Sequence, residues 1–273
     1  MKDEKIGFIG MGHMGKFMAL NLVKKGYNVY VFDVNEKAIQ EIKGNGVIAC
    51  PSSKDVTLKV DDMVLIMVRD TKEVKDVILG EEGILSSGKE GLNIIVTSTI
   101  SPSAAKELGD VVSKAKCKML NAPVSGGTHG AEKGTLTLMV SGDEGLYMKA
   151  KPIFEAIGKK VFYFGPRQES SQGAKLANNL ITGINMQGCI EGFGFAERMG
   201  IPEKTFKELV SVSTGNSWVI QNLEWFKAVW TEECNQEGPP LMHKDLLYVI
   251  NESSIPLPMT GLAAQLFLSK NKF

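Results

Sequence analysis

The sequence predicts an α/β domain built on a parallel sheet, then an all-α domain, with one long helix joining the two. Three observations carry this reading. Strand-like and helix-like segments alternate from Lys5 to about Gly165, the pattern of a parallel sheet with helices on both faces. A helical pattern without proline then runs from 168 to 199. Beyond Gly200-Ile201-Pro202 every periodic segment is helical. The boundary falls near Gly165-Pro166, which gives domains 1–165 and 166–273.

The first strand is the apolar run Ile6 to Ile9. It leads into Gly10-Met11-Gly12-His13-Met14-Gly15 and then a helix over 16–25. This is G-x-G-x-x-G in its productive setting. Gly10 permits the tight bend, Gly12 lets backbone N–H groups approach a pyrophosphate, and Gly15 lets helix and strand pack closely. The helix N-terminus adds partial positive charge. A second strand, 28–32, ends at Asp33, which lies 18 residues beyond Gly15, where a ribose 2′-hydroxyl needs an acceptor. Together these predict a Rossmann-type dinucleotide site. The bland alternative is an α/β turn that binds no nucleotide.

The remaining elements follow in order. Helix 35–43 precedes a short strand at 47–50, and Ser53 caps a short helix. Strand 63–68, helix 71–78 and strand 93–97 come next. Helix 102–115 opens on Pro102, a favoured first-turn residue, and strand 118–121 follows it. Strand 136–141, helix 143–157 and strand 161–164 complete the first domain. The second domain holds helices at 203–213, 218–229, 243–253 and 257–269. Ligands of parallel sheets bind at the carboxyl ends of the strands, so the helical domain is expected to close over that edge.

Composition excludes several classes. Net charge is zero and no basic block is present, which argues against nucleic acid or a membrane surface as partner. The longest apolar runs are strand-sized, so no transmembrane helix is expected. The charged start, Met1 to Lys5, carries no signal-peptide core. Four scattered cysteines, Cys50, Cys117, Cys189 and Cys234, read as reduced thiols of a cytoplasmic enzyme. His13, His129 and His243 lack metal-ligand spacing, and no metal is expected.

Four stretches carry candidate chemistry. Ser125, Gly126 and Gly127, after a strand, offer a hydroxyl and successive amides to an anion, or form an ordinary loop. Thr99, just past strand 93–97, stands where a hydroxyl could face a nicotinamide, or the stretch merely caps the next helix. Lys175 and Asn179 are four apart and share one helix face. A lysine at a helix start is most often solvated; in a cleft, desolvation would favour its neutral form and suit proton transfer. Lys244 and Asp245 follow Pro239-Pro240 in the first turn of the next helix, as a pair or as two surface charges.

Taken together, FIGMGHMGKFMALNL (8–22), STISP (98–102), APVSGGTHGAEKGTLTLMVSGD (122–143), KLANN (175–179) and LMHKDL (241–246) resemble the β-hydroxyacid dehydrogenase family. The resemblance covers nearly the whole chain and is specific to the family, not to a substrate. It implies a Rossmann domain, a helical domain like that of 6-phosphogluconate dehydrogenase, and a homodimer or homotetramer. Lys175 matches the family's catalytic lysine and Asn179 the asparagine that orients substrate. Ser125, Gly126 and Gly127 match the loop that holds the substrate carboxylate. Thr99 matches a hydroxyl near the nicotinamide, and Val68 and Arg69 match positions lining the cofactor. Lys244 matches a lysine at the cofactor, with Asp245 beside it. Asp33, followed by no arginine, would repel a 2′-phosphate, so NAD is expected over NADP.

The chain departs from the family pattern in three places. Ser171 stands where a glycine is usual. Glu237 stands where some members have phenylalanine, so the pocket wall is expected to be more polar or rearranged. The sequence ends at Phe273, short of many relatives, and the expectation is either that the last helices are trimmed or that a partner subunit covers that face. Two other readings compete: an imine reductase, whose relatives usually lack the lysine, and a non-catalytic dinucleotide-binding protein, which would leave Ser125, Lys175 and Asn179 unexplained. Trp218 and Glu237 are the expected determinants of substrate.

Overall fold

A computed structural model describes residues 4–235 and 238–269. The chain forms two compact units, Met1–Lys175 and Leu176–Phe273. The division falls ten residues beyond the expected Gly165, one turn and a half inside a helix.

The first unit is built on a sheet with strand order β3-β2-β1-β4-β5-β6-β8-β7, with β9 on β8. The six strands β1 (Lys5–Ile9), β2 (Asn28–Phe32), β3 (Val47–Ala49), β4 (Met63–Ile66), β5 (Asn93–Val96) and β6 (Lys118–Asn121) are all parallel. Their order, 3-2-1-4-5-6, is that of a doubly wound dinucleotide fold. Side chains alternate between two cores as the strand period requires. Ile6, Phe8, Met63, Leu65 and Ile95 face one layer, and Ile9, Val64, Ile66, Ile94 and Val96 face the other. Helices α1 (Gly15–Lys24), α6 (Gly127–Lys133) and α7 (Glu144–Ile157) cover the first layer, through Met18, Leu22, Ala131, Ile153 and Phe154. Helices α3 (Ser53–Lys59), α4 (Thr71–Leu79) and α5 (Pro102–Lys114) cover the second, through Val56, Val74, Ile78, Leu108 and Val112. Each of the larger of these side chains, fully buried, contributes on the order of 1.5–3 kcal/mol before entropy is counted. Helix α2 (Glu36–Ile42) lies between β2 and β3 in sequence and buries Ile42.

One polar side chain ties early and late parts of this unit. Asn21, buried on α1, donates from Nδ2 to the Ala131 carbonyl at 2.7 Å.

Several elements differ from the sequence reading. The cap of α3 is Ser52, not Ser53: its hydroxyl accepts the Asp55 amide at 3.0 Å, and Ser53 is the first helical residue. The loop expected at 122–128 contains strand β7 (Val124–Ser125) and the start of α6. The sheet is not wholly parallel. Strand β8 (Leu136–Gly142) runs antiparallel to β6, pairing through Leu120–Gly142 and Asn121–Ser141, and antiparallel to β7. The β6–β8 connection carries only strand β7 and the short helix α6, which return the chain along an antiparallel path. Strand β9 (Gly158–Tyr163) is parallel to β8.

The second unit is helical. It takes up α8 (Ser170–Arg198), whose first turns belong to the first unit, and α9 (Glu203–Ser211), α10 (Trp218–Gln221), α11 (Leu223–Asn235), α12 (Leu241–Glu252) and α13 (Pro258–Leu268). The helix expected at 218–229 is two. Asn222 turns its side chain back onto the Trp218 carbonyl at 2.9 Å and ends α10. The core joins Met186, Ile220, Phe226, Leu246 and Ala264, with Trp230 edge-to-face on Phe267. Among the described residues, no helix is long and apolar enough to cross a membrane.

Candidate active site

The glycine turn follows β1. Gly10 has φ +96°, a left-handed conformation that disfavours any Cβ, and a Cβ there would strike the Met67 carbonyl. A Cβ at Gly15 would strike the Gly10 carbonyl. These two glycines are demanded by the turn itself. Gly12 is different: a Cβ there meets nothing within 4 Å, so backbone is open to a ligand. Helix α1 begins at Gly15 with no side-chain cap at Met14 and no acidic residue in its first turn. An uncapped, positively polarised helix end beside an open glycine is a cradle for the pyrophosphate of a dinucleotide. His13 is exposed and Met14 half-buried on this turn.

Asp33 sits beside the turn. Its Oδ2 accepts the Met11 amide at 2.6 Å and its Oδ1 the Asn35 amide at 2.7 Å. Next to it Val34 is 90 % exposed. Lys16 pairs with Glu41 at 2.9 Å; the hydrogen bond from Lys16 is the main cause holding the Glu41 carboxyl below its ordinary range.

Past β4, Val68 lies against Gly10 and its amide donates to the Ser98 hydroxyl at 2.8 Å. Arg69 is exposed, its amide held by Glu73 at 2.8 Å. Thr99 is half-buried at the carboxyl end of β5, between buried Ser98 and Ile100. These residues and the glycine turn share the carboxyl edge of the parallel strands, where ligands of such sheets bind.

Ser125 ends β7 opposite Thr137 of β8. Gly126 and Gly127 both have positive φ, +130° and +62°, and Gly127 opens α6. All three are half-buried.

Lys175 is 8 % exposed, so the solvated alternative does not hold. It lies on the second turn of α8, whose entry is held by a buried polar network. Gln172 accepts the Ile100 amide at 3.1 Å and donates to the Ser98 carbonyl at 3.0 Å and to Asn121 Oδ1 at 3.2 Å. The Ser171 hydroxyl donates to the Asn121 carbonyl at 3.0 Å and lies 2.8 Å from the Ser141 hydroxyl. Gln168 bridges Asn121 and the Met119 carbonyl, both at 2.9 Å. Sequence reasoning passed over Gln172, Asn121 and Ser141. The available signal was a glutamine one turn before the lysine, in a helix start otherwise made of small residues.

Asn179, one turn beyond Lys175, is buried in the second unit. Its amide donates to Asp245 Oδ2 at 2.6 Å, while Asp245 Oδ1 lies 3.2 Å from the Lys244 ammonium. That contact is an ion pair rather than an aligned hydrogen bond, since Oδ1 is buried without a hydrogen-bond donor. Lys244 also lies 5.2 Å from the Tyr248 ring centre. Asp245 thus joins two of the expected residues. Trp218 is 55 % exposed and edge-on to Trp225 and Phe226; Glu237 lies outside the described residues. Among the described residues, no group of three His, Cys, Asp or Glu side chains is placed to hold a metal.

Comparison with known proteins assigns both parts of the chain. Residues 5–165 match the NAD binding domain of 6-phosphogluconate dehydrogenase. Residues 170–272 match the family described as NAD-binding of NADP-dependent 3-hydroxyisobutyrate dehydrogenase. A 2-(hydroxymethyl)glutarate dehydrogenase of Eubacterium barkeri is 35 % identical over 97 % of this chain and 89 % of its own. An NAD-dependent L-serine dehydrogenase of Pseudomonas aeruginosa is 36 % identical over 80 % of this chain and 72 % of its own. The crystal structure of a 3-hydroxyisobutyrate dehydrogenase from Salmonella typhimurium superposes with a TM-score of 0.86 at 28 % identity, covering 98 % and 94 % of the two chains. Imine reductases share the fold alone: that of Streptomyces aurantiacus is 15 % identical, with a TM-score of 0.72 and coverage of 97 % and 94 %. The chain belongs to the β-hydroxyacid dehydrogenase family, and so to the NAD(P)-dependent dehydrogenases of 3-hydroxyacids.

Proposed function

We propose that this protein oxidises a small β-hydroxyacid to its semialdehyde, or reduces the semialdehyde, with NAD as cofactor and Lys175 as general acid and base. The observation that carries the reading is a lysine only 8 % exposed at the opening of α8, in a chain whose glycine turn is built for a dinucleotide. Residues 1–165 bind the cofactor in this reading, and 166–273 serve substrate and subunit contacts.

The bound dinucleotide supplies the hydride acceptor for oxidation and the donor for reduction. The chain's own residues do the rest. The Ser125 hydroxyl and the amides around Gly126 and Gly127 hold the substrate carboxylate. Asn179 orients the reacting hydroxyl. The Lys175 amine takes the hydroxyl proton during oxidation and returns it to the carbonyl oxygen during reduction, stabilising charge that develops there. Thr99, Val68, Arg69 and Lys244 line the cofactor.

The preference for NAD rests on charge. A 2′-phosphate beside the Asp33 carboxylate would be repelled, and exposed Val34 supplies no cation to offset it. The NAD-dependent L-serine dehydrogenase of Pseudomonas aeruginosa is consistent with this choice. The reading also includes a cytoplasmic homodimer or homotetramer, with exposed Phe195, Met199 and Val212 of the helical unit as apolar surface for subunit contact.

The test is oxidation kinetics over 3-hydroxyisobutyrate, D-glycerate, 4-hydroxybutyrate, 3-hydroxypropionate and serine, with NAD and NADP, and a cyclic imine in the reductive direction. Lys175→Ala is expected to lower kcat by about 10²–10⁴-fold with cofactor binding intact. Near-normal turnover by that variant would overturn the assignment, as would turnover of the imine alone.

A further inference from the structure

We infer that Gln172 is the positioning residue of this site: its side-chain amide sets Lys175 in register with Thr99. The inference rests on the role proposed for Lys175. The geometry on which it stands lies wholly within the first unit. Gln172 accepts from the Ile100 amide and donates to the Ser98 carbonyl. Those two backbone groups flank Thr99, so one side chain grips the chain on both sides of that residue. Its third contact, to Asn121 Oδ1, ties the same amide to the end of β6. Gln172 and Asn121 are each 0 % exposed. No water competes for these bonds, and the terminal atoms of Gln172 are both engaged. Lys175 follows three residues later on the same helix, about 4.5 Å further along its axis.

A helix can slide or rotate along its axis at little cost when only apolar contacts hold it. Three directional bonds from one planar group prevent this. A displacement of the lysine by about 1 Å costs roughly a hundredfold in turnover, so the bonds act on rate rather than on affinity. The surrounding contacts hold Gln172 itself: Ser141 and the Asn121 carbonyl lock the preceding residue, Ser171, and Gln168 fixes the Asn121 amide from the other side.

The experiment is a cycle of four proteins: the parent chain, Gln172→Met, Lys175→Ala and the double variant. Methionine keeps the length and apolar bulk of glutamine and removes all three bonds. Gln172→Met is expected to lower kcat about a hundredfold, with KM for 3-hydroxyisobutyrate and Kd for NAD unchanged. In the Lys175→Ala background the same substitution is expected to change single-turnover rates no further. A loss of equal size in both backgrounds, or one that appears in KM and Kd, would assign Gln172 to scaffolding and overturn the inference. So would full activity of Gln172→Met while Lys175→Ala is inactive. Near-normal turnover of Lys175→Ala would instead remove the underlying reading. If Gln172→Met does not fold, Gln172→Asn, one methylene shorter, enters the cycle with the same outcomes.

Discussion

The Met11 amide donates to the Asp33 carboxylate at 2.6 Å, joining the glycine turn to the end of β2 across 22 residues of chain. Asp33 therefore holds the turn, beside the role proposed for it as acceptor for a ribose hydroxyl. A carboxylate has about four acceptor positions, and the Met11 and Asn35 amides use one on each oxygen. Hydrogen bonds to charged groups contribute about 1.5–3 kcal/mol. Asp33→Ser should thus weaken NAD binding by roughly 10–150-fold without conferring useful NADP binding, because the turn loosens along with the charge. Fluorescence titration with both dinucleotides checks this. A variant that gained NADP affinity at unchanged melting temperature would show that Asp33 acts on the ribose alone.

The two kinds of glycine in the turn separate folding from binding. Gly10→Ala places a Cβ in a left-handed conformation and against the Met67 carbonyl. It should cost at least about 1–2 kcal/mol of stability. Gly12→Ala meets open space and should melt like the parent while losing NAD affinity. Paired thermal melts and titrations give the answer; equal melting losses in the two variants would contradict it.

Asp245 is the hinge of charge in the helical unit. Asp245→Ala leaves the Asn179 amide and the Lys244 ammonium without this carboxylate. Breaking such a largely buried pair costs about 3–5 kcal/mol. Asp245→Asn should cost less, since an oxygen acceptor remains for Asn179. Urea unfolding of the two variants tests the order, and a less stable Asn than Ala variant would refute it.

Stability toward acid should depend in part on Asp143. Its carboxylate accepts from Lys118 at 3.0 Å and caps α7 through the Leu146 amide at 2.7 Å. The Lys118 bond, then the Leu146 bond, hold its carboxyl below the ordinary 3.8. A carboxyl lowered by folding contributes fully above its unfolded value, and the contribution fades as pH falls through the folded one. Asp143→Asn keeps the cap and loses the charge. The deficit at pH 7 should be small, about 0.2–1 kcal/mol for a solvated pair, and should fade as pH falls below the ordinary 3.8 and through the lowered folded value. Unfolding curves across that range decide it; a deficit that persisted in acid would point to packing instead.

The parallel core was legible because each strand reports its own burial: Met63 to Ile66 alternate between two layers and are all apolar. The glycine turn was legible because steric demand at Gly10 and Gly15 is local. Contacts across the sheet left weaker marks. Ser52 and Ser53 are adjacent hydroxyls, and only the fold decides which one ends the preceding loop. The antiparallel run of β8 depends on how tightly α6 turns the chain, and β7 is only two residues long. Gln172 looked like one polar residue among several, since its three partners come from the loop after β5, at Ser98 and Ile100, and from Asn121 at the end of β6. Lys175 could be matched to a catalytic lysine from KLANN, but its burial could not be read from the small or apolar neighbours Gly173, Ala174, Leu176 and Ala177.

Asn21 sets a clock on biosynthesis. Its amide partner, the Ala131 carbonyl, is made 110 residues later. At roughly 5–20 residues per second, the nascent chain waits on the order of 5–20 s for it. Until then the inner face of α1 must keep its amide in water, and the first strand-turn-helix cannot seal itself against solvent. The segment whose residues most plainly announce their shape is closed only once the middle of the chain has been made.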